Sequence, residues 1–181
     1  MVKKYIPNDK EKYMSPKQKA FFKKKLTVWK NEIIKANSQN LYLNGADNVT
    51  IDGRVNATGT TKDLNIINTS TGSVTGTSAI RFINDASSNT VKYCTIKSSE
   101  TRATSGIIFF STTTETTGND NNTIEFNDIT NAVDANRPVN AIYSLGTVGK
   151  DNSENIISNN NIFDFLKHAS ASKGIFLSSN T

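Results

Sequence analysis

An eight-residue phrase returns twice, at a fixed interval of 33 residues, in the second half of the chain. Asn89-Thr90-Val91-Lys92-Tyr93-Cys94-Thr95-Ile96 becomes Asn122-Thr123-Ile124-Glu125-Phe126-Asn127-Asp128-Ile129, then Asn155-Ile156-Ile157-Ser158-Asn159-Asn160-Asn161-Ile162. A constant period with apolar residues at constant places describes stacked copies of one supersecondary unit, not a single globular core. A second phrase lies between the copies: Ser78-Ala79-Ile80-Arg81-Phe82, Ser105-Gly106-Ile107-Ile108-Phe109, Asn140-Ala141-Ile142-Tyr143-Ser144 and Lys173-Gly174-Ile175-Phe176-Leu177. Aligned on Ile80, Ile107, Ile142 and Ile175, its intervals are 27, 35 and 33 residues, so the intervening loops change length.

Each repeat therefore holds at least two short strands separated by Asn-, Thr-, Ser- and Gly-rich turns. The connecting stretches lack the 3.6-residue apolar stripe of a helix, which excludes the helical repeat classes. A parallel β-helix remains, each turn of chain laying its strands beside those of the turn before. Val91, Ile124 and Ile157 then stack along the interior, as do Ile96, Ile129 and Ile162, each about 4.8 Å from the next. Asn127 and Asn160 share a position just before a strand resumes, where stacked amides satisfy turn groups that burial would leave unpaired. Cys94 takes that position in the first of the three copies and interrupts the ladder.

These phrases resemble the right-handed parallel β-helix repeats of pectate-lyase-like proteins. The resemblance covers about residues 41–181 and includes the upstream Asn48-Val49-Thr50-Ile51-Asp52-Gly53 and Asp63-Leu64-Asn65-Ile66-Ile67-Asn68. It implies an all-β, right-handed, single-stranded parallel β-helix solenoid of about four to five coils, preceded by one amphipathic α-helix. That fold hosts lyases, hydrolases, adhesins and structural modules alike.

Residues 1–40 have another composition: eleven Lys against Asp9, Glu11 and Glu32, a net charge of +8 beside −3 for the remainder. The whole-chain +5 averages two unlike parts and does not describe a uniformly basic nucleic-acid binder. Ser15-Pro16-Lys17-Gln18 predicts a helix start, with Ser15 as cap, Pro16 in the first turn and Gln18 closing a capping box. Phe22, Leu26, Trp29 and Ile33 follow at steps of 4, 3 and 4, one face of a helix over about 15–36. The stretch from Tyr5-Ile6-Pro7-Asn8 through Met14-Ser15-Pro16-Lys17-Gln18 to Leu26-Thr27-Val28-Trp29 resembles the N-terminus of DksA-type transcription factors. Those bind RNA polymerase through a coiled-coil hairpin followed by a zinc finger. Here β-helix phrases take over after Asn37, and the single Cys94 excludes a thiolate zinc site. The chain thus reads as a chimera of a DksA-like start (1–40) and a β-helix (41–181). RNA polymerase is a partner only if the first part functions.

Catalysis on such a solenoid needs clustered carboxylates, with an Arg or Lys base in lyases or acid/base spacing in glycosidases. The candidates are Asp120, Asp128, Asp134, Asp151, Asp164 and Arg137. Asp128 has Thr95 and Asn161 at its repeat positions, so no carboxylate ladder forms there. Asn119-Asp120-Asn121-Asn122 could bind a cation, but a turn explains it better. His168 stands alone, without a nucleophile or carboxylate at recognisable spacing. Tyr93 and Phe126 alternate with Lys92 and Glu125, which predicts the charges outside and the rings in the core. Phe109, Phe110, Tyr143 and Phe176 are read as core too. No catalytic, cofactor-binding or metal residue is assigned.

The expected function is therefore non-catalytic: a β-helix segment of a bacterial surface or secreted protein, serving as scaffold, adhesin or glycan-contacting surface. A polysaccharide lyase or hydrolase fragment is the alternative, and a polymerase-associated regulator the third. The partner expected is an extended polysaccharide or cell-surface glycan. With 20 Asn and 21 Thr in residues 41–181, the β-helix part reads as exported, although no secretory signal or membrane span is visible. Taken literally, the chain would be cytoplasmic. Its last strand phrase has no capping element after it, which predicts C-terminal truncation and self-association through open solenoid ends.

Overall fold

A computed structural model describes residues 12–36, 41–71 and 77–178, with the backbone alone for 27–36. The chain divides into two units, Met1–Asn37 and Ser38–Thr181.

In the first unit, α1 spans Pro16–Ala36. Its start is the reciprocal pair the sequence predicts. The Gln18 backbone N–H donates to Ser15 Oγ at 3.2 Å, and the Ser15 N–H donates to Gln18 Oε1 at 3.1 Å. Two amides that a free helix end would leave without partners are thereby satisfied.

The second unit is a parallel β-solenoid. Its first coil carries β1 (Leu41–Asn44), β2 (Thr50–Asp52) and β3 (Leu64–Asn68), and its second β4 (Ile80–Ile83), β5 (Thr90–Lys92) and β6 (Cys94–Ser98). Then come β7 (Ile108–Phe110), β8 (Thr123–Glu125) and β9 (Asp128–Asn131). The fourth layer holds β10 (Asn140–Ser144), β11 (Ile156–Ser158) and β12 (Asn161–Ile162), and β13 (Lys173–Leu177) follows. Every third strand pairs in parallel, giving one sheet ordered β1-β4-β7-β10-β13 and two of four strands, β11-β8-β5-β2 and β12-β9-β6-β3. Four layers in two of the sheets make three coil-to-coil steps, slightly fewer turns than the four to five expected.

The interior rows are continuous. Ile51 pairs with Val91, Val91 with Ile124, and Ile124 with Ile157. Ile66, Ile96, Ile129 and Ile162 form the matching row on the third sheet. Val91, Ile96, Ile124 and Ile129 are completely buried, each worth roughly 1.5–3 kcal/mol relative to exposure. The first sheet contributes Leu43, Phe82 and Phe110, and the last two rings stack at 4.5 Å with planes 9° apart.

One register differs from the sequence alignment. Ile108, not Ile107, pairs with Ile80 and Ile142. Ile107 is also fully buried, but it sits at the bend before β7, where its carbonyl accepts from both Ala79 N and Ile80 N. Two adjacent isoleucines left a one-residue ambiguity that only the backbone pairing resolves.

Asparagine ladders hold the bends. Asn127 N and Nδ2 donate to Asn160 Oδ1 at 2.9 and 3.1 Å, while Asn127 Oδ1 accepts from Cys94 N at 2.9 Å. Asn89, Asn122 and Asn155 repeat the pattern at a second bend, and Asn119 with Asn152 at a third. In each, the amide oxygen of one coil receives the backbone N–H of the coil before it. Between β5 and β6, and between β8 and β9, the chain turns through a single left-handed residue, Tyr93 (φ 52°) and Phe126 (φ 56°). That conformation costs a non-glycine residue roughly 1–2 kcal/mol, and the ladder bond on the very next amide helps offset it. At the register-equivalent position of the first coil stands Gly53, whose φ is not positive; glycine is required there by space, since a Cβ would lie 1.9 Å from Tyr93 O.

Candidate functional site

The sequence candidates fall at three places. In the turn before β8, Asp120 Oδ1 accepts from Ser153 N at 2.7 Å and Ser153 Oγ at 3.1 Å, and its Oδ2 accepts from Gly118 N at 3.3 Å. One coil earlier, Asp120 N donates to Ser87 Oγ, and Ser87 N donates to Asp47 Oδ1. Positions 47, 87, 120 and 153 thus alternate Asp and Ser along the axis. This keeps like charges two coils apart, roughly 9.6 Å instead of 4.8 Å. The carboxylate oxygens of Asp120 are occupied by turn donors, and among the described residues no group of three or more His, Cys, Asp or Glu is placed to hold a metal ion.

On the outer side of the third sheet, Asp128 is bonded to Lys62 and accepts from Asn161 Nδ2 at 2.8 Å. Burial, the largest single effect, pushes its carboxyl up, but the hydrogen bonds from Lys62 and Asn161 and the lysine charge together outweigh it and hold the carboxyl below the usual range. Lys62 reaches it from the excursion between β2 and β3, which closes where Gly53 O accepts from Asp63 N and Leu64 N.

The third place is the one convergence. Arg137 bridges Asp134 (Nη2 to Oδ1, 3.2 Å) and Asp164 (Nη1 to Oδ1, 3.3 Å), joining loops of successive coils. Asp134 also accepts from Asn131 Nδ2 at 2.7 Å; this bond and the guanidinium lower its pKa. A glycosidase acid needs the opposite shift from the one Asp134 shows. Asp151 and His168 are exposed and join none of these groups.

The aromatic expectation requires correction. Tyr93 and Phe126 are half-buried and lie outside the core cluster, because the left-handed bend turns their side chains off the interior row. Their rings stack at 4.9 Å with planes 6° apart, and the Arg54 guanidinium covers the other face of Tyr93 at 4.1 Å. Arg54 is itself held by Asp52, through Nη2 to Oδ2 at 2.6 Å and Nε to Oδ1 at 2.9 Å. That pairing brings the Asp52 pKa down to about 2. Of the other rings, Phe110 is core, whereas Phe109, Tyr143 and Phe176 share a row with Tyr42 and Arg81 on the opposite side of the first sheet. Phe109, Tyr143 and Arg81 are buried there.

Sequence reasoning passed over Glu100, which is 1 % exposed. It is bonded to Thr77 Oγ1 and accepts from Arg102 through Nε at 3.0 Å and Nη2 at 2.7 Å. Glu100-x-Arg102 is a local pair that could have been read as a loop clamp; its burial could not.

The chain matches no family model, no curated protein and no solved structure. The fold defines a parallel β-solenoid with one N-terminal helix; the pectate-lyase-like and DksA-like readings stand on the sequence phrases alone. Among the described residues no helix is long and apolar enough to cross a membrane.

Proposed function

We propose that this chain is a non-catalytic solenoid scaffold of a bacterial surface or secreted protein, and that its lateral faces contact an extended glycan. The observation that carries the reading is the regular polar lettering of those faces. Thr50, Thr90 and Thr123 form one outward row on the second sheet, and Asp52, Lys92 and Glu125 form another with alternating charge. Asn65, Thr95, Asp128 and Asn161 continue it on the third sheet. Hydroxyls, amides and paired charges recur at the coil spacing, a geometry suited to a linear polymer lying along the axis. Ring stacking contributes little, since Tyr93 and Phe126 cover one another's faces.

Retention of the chain on immobilised acidic and neutral polysaccharides tests this. Binding without release of unsaturated uronate or new reducing ends is expected, weakened in a Thr90→Ala/Thr123→Ala/Asn161→Ala variant. Turnover of any of these polymers would favour the lyase or hydrolase alternative instead, and the Asp134–Arg137–Asp164 trio would then be the first place to mutate. Self-association is part of the proposal: Ile156, Ile175 and Leu177 in the last strands are 57 %, 46 % and 56 % exposed, an apolar edge that another coil or copy can cover.

A further inference from the structure

We propose that α1 is a lipid-interface helix, which lies along the surface of an anionic bilayer without crossing it. This is independent of what the solenoid faces bind. Three observations converge on it. Phe22 and Leu26, one turn apart on the same face, are 46 % and 61 % exposed, and Tyr13 just before the helix is 87 % exposed. The seam continues in the sequence through Trp29 and Ile33 at helical spacing. Between Pro16 and Ala36 there are seven lysines and one acidic residue, Glu32. By the turn of the helix, Lys19 and Lys23 flank one side of the seam and Lys25 the other.

That distribution selects the partner. An exposed aromatic and aliphatic seam is rewarded by an acyl boundary, where each buried CH₂ counts and lysine stems extend outward to keep their charges in the headgroup layer. A nucleic-acid duplex would use the lysines and leave Phe22 and Leu26 in water, since phosphate contacts reward charge alone. The near-absence of acidic residues makes the attraction specific for an anionic leaflet, at roughly a tenfold gain in partitioning for every one to two lysines near the surface.

The sole tryptophan of the chain, Trp29, continues the Phe22–Leu26 spacing in the sequence and serves as the reporter. The full chain is mixed with vesicles of phosphatidylcholine, with vesicles of equal parts phosphatidylcholine and phosphatidylglycerol, and with the latter carrying brominated acyl chains. Sedimentation with anionic vesicles only, weakening as salt is raised, and quenching of Trp29 by the brominated chains are expected. Lys23→Gln/Lys24→Gln/Lys25→Gln preserves helix propensity and should lower partitioning roughly a hundredfold. Phe22→Ser/Leu26→Ser, with helicity checked by circular dichroism, should abolish quenching. Absence of binding to anionic vesicles overturns the proposal, as does binding without quenching of Trp29. Equal affinity for duplex DNA that the Phe22→Ser/Leu26→Ser change leaves untouched overturns it too.

Discussion

Asn122 offers the sharpest test of what holds the coils in register. Its side chain is completely buried and makes four bonds. Oδ1 accepts from Asn89 N and Asn89 Nδ2, both at 3.0 Å, and Nδ2 donates to Ala86 O at 2.8 Å and to Asn155 Oδ1 at 3.1 Å. Asn122→Ala leaves the Asn89 N–H and the Ala86 carbonyl without partners in a site closed to water. Each such buried orphan costs roughly 1–3 kcal/mol, so about 4 kcal/mol is expected in all. Asn155 makes three of these four bonds one coil later, lacking the one onward to a further asparagine, and it is half-buried. Water can reach the groups that Asn155→Ala frees, and the loss there should be about 1 kcal/mol. Asn122→Asp keeps the acceptor but sets carboxylate oxygens against Ala86 O and Asn155 Oδ1, and should be as harmful as Ala. Urea unfolding followed by far-ultraviolet circular dichroism measures all three. A loss below about 1 kcal/mol for Asn122→Ala, or an equal loss for Asn155→Ala, would refute the argument that burial makes these amides structural.

Packing predicts a second gradient: Ile124→Ala, at the centre of its row, should cost about 2–5 kcal/mol, and Ile156→Ala, 57 % exposed, under about 1, in the same unfolding assay. Gly53→Ala forces the Tyr93 carbonyl to move and should cost about 2–3 kcal/mol, whereas at Gly149 a Cβ meets open space and only the positive φ of 75° opposes it; calorimetric midpoints separate the two. Asp52 titrates at about 2, below the roughly 3.9 of an unfolded aspartate, so its contribution is complete above the unfolded value and disappears as pH falls through about 2. Arg54→Met should bring the Asp52 midpoint up toward the ordinary value, read by carboxyl-carbon nuclear magnetic resonance. Cys94 is completely buried with its pKa pushed up to about 11 by burial, so thiol reagents at neutral pH should label it only as fast as the solenoid opens.

The sequence by itself determined the solenoid. Val91, Ile124 and Ile157 recur at one interval, and a strand pattern that repeats can only bury its apolar side by stacking on its own copies. It also determined the start of α1, since Ser15 and Gln18 satisfy each other within one turn of chain, and the amide ladder of Asn127 and Asn160, visible as the same residue at the same phase. The tertiary structure decided what lies inside and outside at the corners. Tyr93 and Phe126 read as core by alternation, but one positive φ, which no glycine announces, turns both rings outward. It decided between Ile107 and Ile108 because pairing, not composition, sets register. It also joined Asp134, Arg137 and Asp164, whose meeting depends on how far two loops of unequal length reach around successive coils. Periodicity is a local property and survives in one dimension; the sign of a dihedral angle and the reach of a loop do not.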